Sequence, residues 1–164
     1  YRPEVGNMFL IGSEDPQCDP QAWVDPDEFY AGKGSPERSN QLSDAQWKAQ
    51  CYRLAKRVPT LPVPNQPKGV CDLYDVSDDW IPIYDKSDLG GFYMAVGTSG
   101  NQYKNAPVVG AMMADLIDAC EKKGLDHDKT PFQFKMRYTG RTLDVGFFSR
   151  KREINYNSSF SVNG

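Results

Sequence analysis

The 164-residue chain has few of the residues on which several classes of site depend. It contains one histidine, His127, and four cysteines that form no C-x-x-C pair. These cysteines argue against both a zinc site and a disulfide-stabilised scaffold, and we expect no bound metal. A single histidine excludes His-rich metal sites and disfavours a hydrolytic triad. We therefore expect a reducing compartment, with the cytoplasm as the location.

Long apolar runs and a basic excess are also missing. No stretch is long enough to span a bilayer, and the net charge of −3 gives no reason to expect nucleic acid or a membrane as partner. Five basic residues alternate with aromatic ones over positions 137–153. Because the whole chain is acidic, we interpret this run as a subunit or domain contact, and we expect any oligomer to form through residues 125–164.

The amino-acid composition is that of a globular protein, and the chain is long enough for one domain with a core or for part of a larger one. Hydrophobic residues make up 39% of the chain and charged residues 25%. The sequence begins Tyr-Arg-Pro, without methionine, and runs directly into a strand-like stretch. We therefore expect it to be a C-terminal piece of a longer protein.

The first half of the chain predicts a hairpin, an irregular excursion and a helix. Residues 1–13 read as two short strands around a Val-Gly-Asn turn, and residues 15–40 are rich in Pro, Asp, Gly and Ser. Ser43 and Gln46 have the spacing of a capping box, and Pro59 ends the helix that follows them. The Pro-rich stretch that comes next predicts an extended connector.

The second half predicts four strands and one long helix, so the fold class is α+β. The strands are expected at 69–75, 80–84, 91–97 and 132–138, and the third is apolar enough to be covered on both faces. The helix is expected at 106–123, with Asn105 as N-cap, Pro107 in the first turn and Gly124 just past the end. A polar, partly draped tail is expected over 139–164.

The small polar turn between the third strand and the long helix is a candidate ligand site. A strand, a loop of small residues and a helix N-terminus together bring several backbone N–H groups and the positive end of a helix dipole to one point. Such a point favours negative charge or electron-rich oxygens. Gly97, Ser99 and Gly100 allow a ligand to approach the backbone, and Lys104 adds a positive charge.

Two stretches resemble a known family. "GGFYMAVGTSGNQYKNAPVVGAMMADLI", preceded by "LYDVSDDWIPIYD", is similar to the C-terminal portion of FAD-dependent amine oxidoreductases of the D-amino-acid oxidase superfamily, in particular sarcosine oxidase and the sarcosine and dimethylglycine dehydrogenases. The opening "YRPEVGNMFLIGSE" is similar to the substrate-domain hairpin of that family. The resemblance covers most of residues 1–118.

The resemblance implies a cofactor, a set of site residues and a domain division. FAD is the implied cofactor, with its pyrimidine edge over the turn and the helix that follows. The implied flavin-binding residues are Gly97, Thr98, Ser99, Gly100, Asn101 and Lys104. Tyr74 is implied to lie over the substrate, and Arg2 is a candidate for holding a substrate carboxylate. Residues 1–89 would belong to the substrate domain, 90–124 would supply the last strand and helix of the FAD domain, and 125–164 would form a C-terminal strand and tail.

The sequence differs from the family pattern at three points. No G-x-G-x-x-G occurs in the chain, so an N-terminal Rossmann portion is an expected partner, and the piece alone should bind FAD poorly and be inactive. Neither Tyr74 nor Gly100 is the arginine with which amino-acid oxidases of the family hold a carboxylate. Cys71 is one place away from a flavin-attachment cysteine of some relatives, and we interpret it as a buried small hydrophobic residue.

The expected function is that of part of an FAD-dependent oxidoreductase. It would oxidise the CH–N bond of a small secondary or tertiary amine, or of an N-methyl amino acid, by hydride transfer to flavin. Two alternatives remain open: a non-catalytic binding or assembly fragment, and a primary amino-acid (D-amino-acid or glycine) oxidase. Two further candidates are set aside. His127 is expected to be solvated, and Asp78 and Asp79 should point to opposite faces of a strand.

Overall fold

The computed structural model describes residues 1–12, 24–32 and 42–160. They belong to two compact units, Tyr1–Leu73 and Tyr74–Gly164. The described ranges contain three α-helices and three two-stranded antiparallel sheets, which confirms the α+β class. Within these ranges no helix is both long enough and apolar enough to cross a membrane.

The first unit opens with the predicted hairpin. Strand β1 (Arg2–Glu4) pairs antiparallel with β2 (Met8–Leu10), with Pro3 opposite Phe9. The turn between them needs left-handed backbone at Gly6 (φ 78°) and Asn7 (φ 59°), and glycine and asparagine tolerate that conformation best. The hairpin is confirmed over residues 1–12.

A short helix, α1 (Pro26–Tyr30), lies in the region predicted to be irregular. The Asp25 carboxylate caps it by accepting hydrogen bonds from the amides of Asp27 (2.8 Å) and Glu28 (3.3 Å). An aspartate followed by proline is a known helix-start signal, so this element was predictable. The rest of the irregular region, residues 13–23 and 33–41, lies outside the described residues.

Helix α2 (Asp44–Arg57) confirms the prediction made from the capping box and Pro59. The Ser43 hydroxyl accepts a hydrogen bond from the Gln46 amide at 3.4 Å, and the helix ends before Pro59. Cys51 and Leu54, three residues apart on one face of the helix, are buried.

The predicted strand at 69–75 is wrong, because this stretch pairs with no strand. Two of its acceptor groups take part in hydrogen bonds that do not belong to a sheet. The Asp72 carboxylate accepts a hydrogen bond from the Tyr30 hydroxyl at 2.6 Å, within the first unit. In the second unit, the Asp75 carbonyl accepts one from the Ser99 amide at 3.0 Å. Without a neighbouring strand the segment remains an extended connection.

The second unit begins with a hairpin of β3 (Ile83–Lys86) and β4 (Tyr93–Val96). β3 starts later than predicted because Trp80 has a left-handed backbone (φ 61°) and Pro82 has no N–H to donate. β4 lies inside its predicted range. The prediction that both of its faces are covered is wrong in the described part of the chain, because Val96 is 46% exposed.

Helix α3 (Ala106–Lys123) begins and ends where the sequence predicts, with Pro107 in its first turn and Gly124 in left-handed backbone (φ 69°) just beyond. Asn105 occupies the N-cap position as predicted, but its side chain accepts no capping hydrogen bond from the first turn. Asn105 is helical and closes a single 3-10 turn, Tyr103–Asn105, and its side-chain amide donates to Gln102 instead.

The core of the second unit is formed by residues from β3, α3 and the segment that follows α3. Its buried members are Tyr84, Met112, Leu116, Phe134 and Val145. Strand β5 (Gln133–Lys135) is shorter than the predicted 132–138, and it pairs antiparallel with β6 (Thr142–Asp144), in the stretch predicted to be a draped tail. A 3-10 turn, Val145–Phe148, then brings the fully buried Val145 into the core.

Candidate functional site

The turn that follows β4 has an unusual backbone. Gly97, Ser99 and Gly100 all have positive φ, at 66°, 50° and 77°. Serine rarely adopts this conformation, so the surrounding contacts must hold it there. These contacts come from residues 74–77, which precede β3.

The Tyr74 ring lies directly against Gly100. A Cβ added at Gly100 would come within 2.7 Å of Tyr74 Cε1 and 2.9 Å of Cζ, closer than carbon atoms approach without displacement. The absence of a side chain at Gly100 therefore lets the ring cover the turn. Tyr74 is itself 58% exposed, so its other surface remains available. The structure thus brings together two of the predicted site residues.

Asp75 clamps the turn through three hydrogen bonds to Thr98 and Ser99. Its Oδ2 accepts a hydrogen bond from the Thr98 amide (3.0 Å), its Oδ1 one from the Thr98 hydroxyl (2.5 Å), and its carbonyl one from the Ser99 amide (3.0 Å). Burial raises the pKa of Asp75, but the hydrogen bonds from the Thr98 hydroxyl and nearby amides outweigh it and hold this pKa below its usual value. The clamp is therefore a carboxylate.

Half of the predicted flavin-binding residues are engaged inside the unit. Ser99 is fully buried, and its hydroxyl donates to the Gly97 carbonyl at 3.1 Å. Gly97 is also buried, where an added Cβ would lie 3.2 Å from Ser77 Cβ. Together with Thr98, these residues shape the turn and do not present donors at the surface.

The open end of the turn is formed by Gly100, Asn101, Gln102 and Lys104. Gly100 and Lys104 are exposed, and Asn101 and Gln102 are half-buried. The backbone amides of Gly100 and Gln102 donate to no acceptor in the described part of the chain. This end therefore combines two available N–H groups with the ammonium group of Lys104, an arrangement that suits an electron-rich or anionic group.

Gln102 holds the open end in place, a role that sequence analysis missed. Its Oε1 accepts hydrogen bonds from the Tyr84 hydroxyl (3.0 Å) and from the Asn105 side-chain amide (2.9 Å), and its Nε2 donates to the Asn101 side chain. Because Tyr84 belongs to β3 and Asn105 directly precedes α3, these bonds connect the turn to β3 and to the start of α3. Spacing along the chain gives no signal for such a connection.

Arg2, the predicted carboxylate holder, lies in the first unit. Its Nε is 2.8 Å from the Glu4 carboxylate across β1, and its side chain is 70% exposed. Its role toward a substrate stays a prediction.

A buried polar cluster in the second unit corrects the prediction for His127. The imidazole is almost completely buried, not solvated, because its Nδ1 accepts a hydrogen bond from the Phe132 amide at 2.9 Å. Its Nε2 lies 3.5 Å from Oδ1 of Asp85, which is fully buried and also accepts a hydrogen bond from Arg150 Nη1 at 3.0 Å. Burial lowers the pKa of His127, although the Asp85 charge opposes the change.

The basic run at 137–153 is used largely inside the unit. Arg150 bonds to Asp85, Asp88 and Asp128, and Lys151 Nζ lies 3.0 Å from Asp128. Arg152 binds the buried Asp79, whereas Asp78 is exposed. Asp78 and Asp79 thus do differ in exposure, but they lie in a turn and not on a strand.

Two further predictions concern Cys71 and the binding of a metal. Cys71 is exposed, so its interpretation as a buried small residue is wrong. The segment around it lacks the strand that would have covered it. No group of three or more metal-binding side chains occurs in residues 1–12, 24–32 and 42–160.

No protein-family model, no curated protein and no solved structure matches the chain.

Proposed function

We propose that this chain is part of an FAD-dependent oxidoreductase that acts on the CH–N bond of a small secondary or tertiary amine or an N-methyl amino acid. The observation that carries the proposal is the packing of Tyr74 on Gly100, at the open end of a clamped turn. It joins an exposed aromatic ring, two available backbone amides and a lysine at one point, directly before the long helix α3.

The residues of the open end have distinct roles in this proposal. The amides of Gly100 and Gln102 would hold the pyrimidine edge of the flavin, and Lys104 would add positive potential there. Tyr74 would form an apolar wall that orients the amine and excludes water. Bound flavin supplies two-electron chemistry by accepting a hydride from the carbon next to the substrate nitrogen.

The described residues fit only the ring portion of this cofactor. The turn offers donors for the pyrimidine edge, but the sequence has no G-x-G-x-x-G with which to hold the adenosine diphosphate half. We propose that a Rossmann portion supplies that half and packs against α3. The small and apolar residues that line an exposed face of α3 support this pairing: Pro107, Gly110, Ala111, Ala114 and Ile117.

The finer assignments follow the same proposal. Residues 1–89 would form part of the substrate domain, and 90–124 would complete the FAD domain. Tyr138, Phe147 and Tyr156 are exposed, which supports a contact between subunits or domains through 125–164. The thiols of Cys51 and Cys120 form no disulfide, which is in keeping with a location in the cytoplasm.

Titration of the chain with FAD, followed by amide signals in NMR, tests the site. We expect weak binding that shifts the signals of Gly100, Gln102 and Lys104. Gly100→Ala should abolish these shifts because the new methyl group displaces Tyr74. Gly110→Ala is the matched control, since its methyl group would meet nothing within 4 Å. Shifts confined to other residues, or none at all, would contradict the proposed site.

The reaction is tested on the longest natural polypeptide that contains these residues. We expect a visible flavin band that bleaches when sarcosine is added without oxygen. Bleaching by glycine or proline, but not by sarcosine or dimethylglycine, would favour the amino-acid oxidase alternative. The lack of a flavin band in the folded protein would favour a non-catalytic binding or assembly module.

A further inference from the structure

The charge in direct contact with the candidate turn is negative. The Asp75 carboxylate accepts hydrogen bonds from both the amide and the hydroxyl of Thr98, at 3.0 and 2.5 Å. Asp75 and Lys104 are both exposed, but Lys104 has no ion pair among the described side chains. The Asp75 carboxylate is held at hydrogen-bond distance from Thr98, and because the interaction of charges weakens with distance, Asp75 has the stronger influence on the turn.

Asp75 also determines which amides a ligand can reach. The amides of Thr98 and Ser99 are directed at its side chain and carbonyl, so the open end begins only at Gly100. The same contacts hold Ser99 in left-handed backbone, which serine rarely adopts. Asp75 thus sets the direction of the Thr98 and Ser99 amides and contributes to the shape of the turn.

We propose that Asp75 is a positioning residue that fixes the candidate flavin-binding turn and, through its charge, lowers the reduction potential of flavin bound there. The inference rests on the proposed function. Reduction adds negative charge to the pyrimidine edge, and a nearby carboxylate opposes that change, whereas the amides of the open end favour it. The reduction potential of the bound flavin would then depend on two opposing effects, that of the Asp75 carboxylate, which lowers it, and that of the open-end amides, which raise it.

The positioning role is tested without a cofactor by amide hydrogen exchange at neutral pH. Asp75→Ala removes both carboxylate oxygens that accept from Thr98. We expect exchange of the Thr98 amide to become at least about tenfold faster, as loss of a hydrogen bond worth about 1.4 kcal/mol would predict. Asp78→Ala, at an exposed neighbour, is the control and should change nothing. Equal exchange in Asp75→Ala and the unaltered chain would overturn the positioning role.

The effect of charge is tested on the longest natural polypeptide that contains these residues, by equilibrating its FAD-bound form with redox dyes. Asp75→Asn should make the potential more positive. Thr98→Val loosens the same turn but keeps the carboxylate, so it should not raise the potential. A purely structural role would give the two variants the same shift, and that result would overturn the electrostatic role. Failure of the unaltered protein to bind FAD would overturn the proposed function and this effect with it, while the exchange experiment would still decide positioning.

Discussion

Arg152 holds Asp79 through two hydrogen bonds, from Nε to Oδ2 at 2.9 Å and from Nη2 to Oδ1 at 2.6 Å. The two residues are 73 positions apart in sequence, and the Asp79 carboxylate is almost fully buried. The hydrogen bonds from Arg152 hold the pKa of Asp79 well below its usual range. This paired geometry is specific to the guanidinium group, because an ammonium group cannot donate two parallel hydrogen bonds.

Replacement of Arg152 by methionine should lower the free energy of unfolding of the second unit by about 3–5 kcal/mol, because a buried carboxylate loses its partner. Urea titration followed by circular dichroism measures this change. Arg152→Lys should recover only part of the loss. Arg141→Lys, at an exposed position, should alter stability by no more than about 0.5 kcal/mol. Equal effects of Arg152→Met and Arg141→Lys would refute the buried pair.

Acidification should destabilise the protein through His127. Burial lowers its pKa in the folded state, so below the ordinary value of about 6.5 the unfolded chain binds a proton that the folded chain resists. The contribution of His127 to stability is therefore fully present well above pH 6.5 and is lost progressively as the pH falls below it. Protonation of Nδ1 would also remove the acceptor for the Phe132 amide.

Urea titrations between pH 5.5 and 7.5 measure this dependence, and the chain has no second histidine to contribute. The variant His127→Gln should show a much flatter profile. The charges around the imidazole are Asp85, Asp128, Lys86 and Asp144. An increase in stability below pH 6.5 would mean that its pairing with Asp85 dominates over burial.

Gly100→Ala should destabilise the second unit by about 2–3 kcal/mol, because left-handed backbone is costly for alanine and its methyl group collides with the Tyr74 ring. Gly110→Ala, in an open helical position, should stabilise it by up to about 1 kcal/mol. A double-mutant cycle with Tyr74→Ala separates the two causes. Truncation of the ring should relieve the collision, and strictly additive effects would show that the ring does not touch Gly100.

Two adjacent residues of α3 should respond very differently to truncation. Leu116 is fully buried in the core, whereas Ile117 is 38% exposed. Leu116→Ala should cost about 2–5 kcal/mol, which combines lost transfer free energy with a cavity, and Ile117→Ala no more than about 1 kcal/mol. Thermal unfolding of both variants measures the contrast. Comparable losses would indicate that the exposed face of α3 is covered in solution.

The helices were the most predictable part of the fold because their signals are local. Ser43, Pro107 and Gly124 act within a few residues of the helix ends that they define. The strands were less predictable, since β3 and β4 depend on each other and on a turn at Trp80 that no short pattern reveals. β6 was missed because its short sequence has no strand pattern of its own, and only its pairing with β5 makes it a strand.

The sequence predicted where the turn lies, but it did not predict the contacts that hold the turn. Small residues before a helix N-terminus correctly marked an unusual turn, and Gly100 and Tyr74 do meet there. The hydrogen bonds of Asp75 and Gln102 reach 23 and 18 residues along the chain, to Thr98 and Tyr84. Such distant pairs leave no trace in local spacing. The flavin and amine assignments stay predictions.

The buried carboxylates that Arg150 and Arg152 bind also have a consequence for synthesis of the chain on the ribosome. Asp79 is made 73 residues before Arg152, and Asp85 is made 65 residues before Arg150. At translation rates of about 5–20 residues per second, each carboxylate waits roughly 3–15 s for its guanidinium. Because a buried charge without a partner is unfavourable, the nascent second unit cannot close around these carboxylates until its final segment emerges.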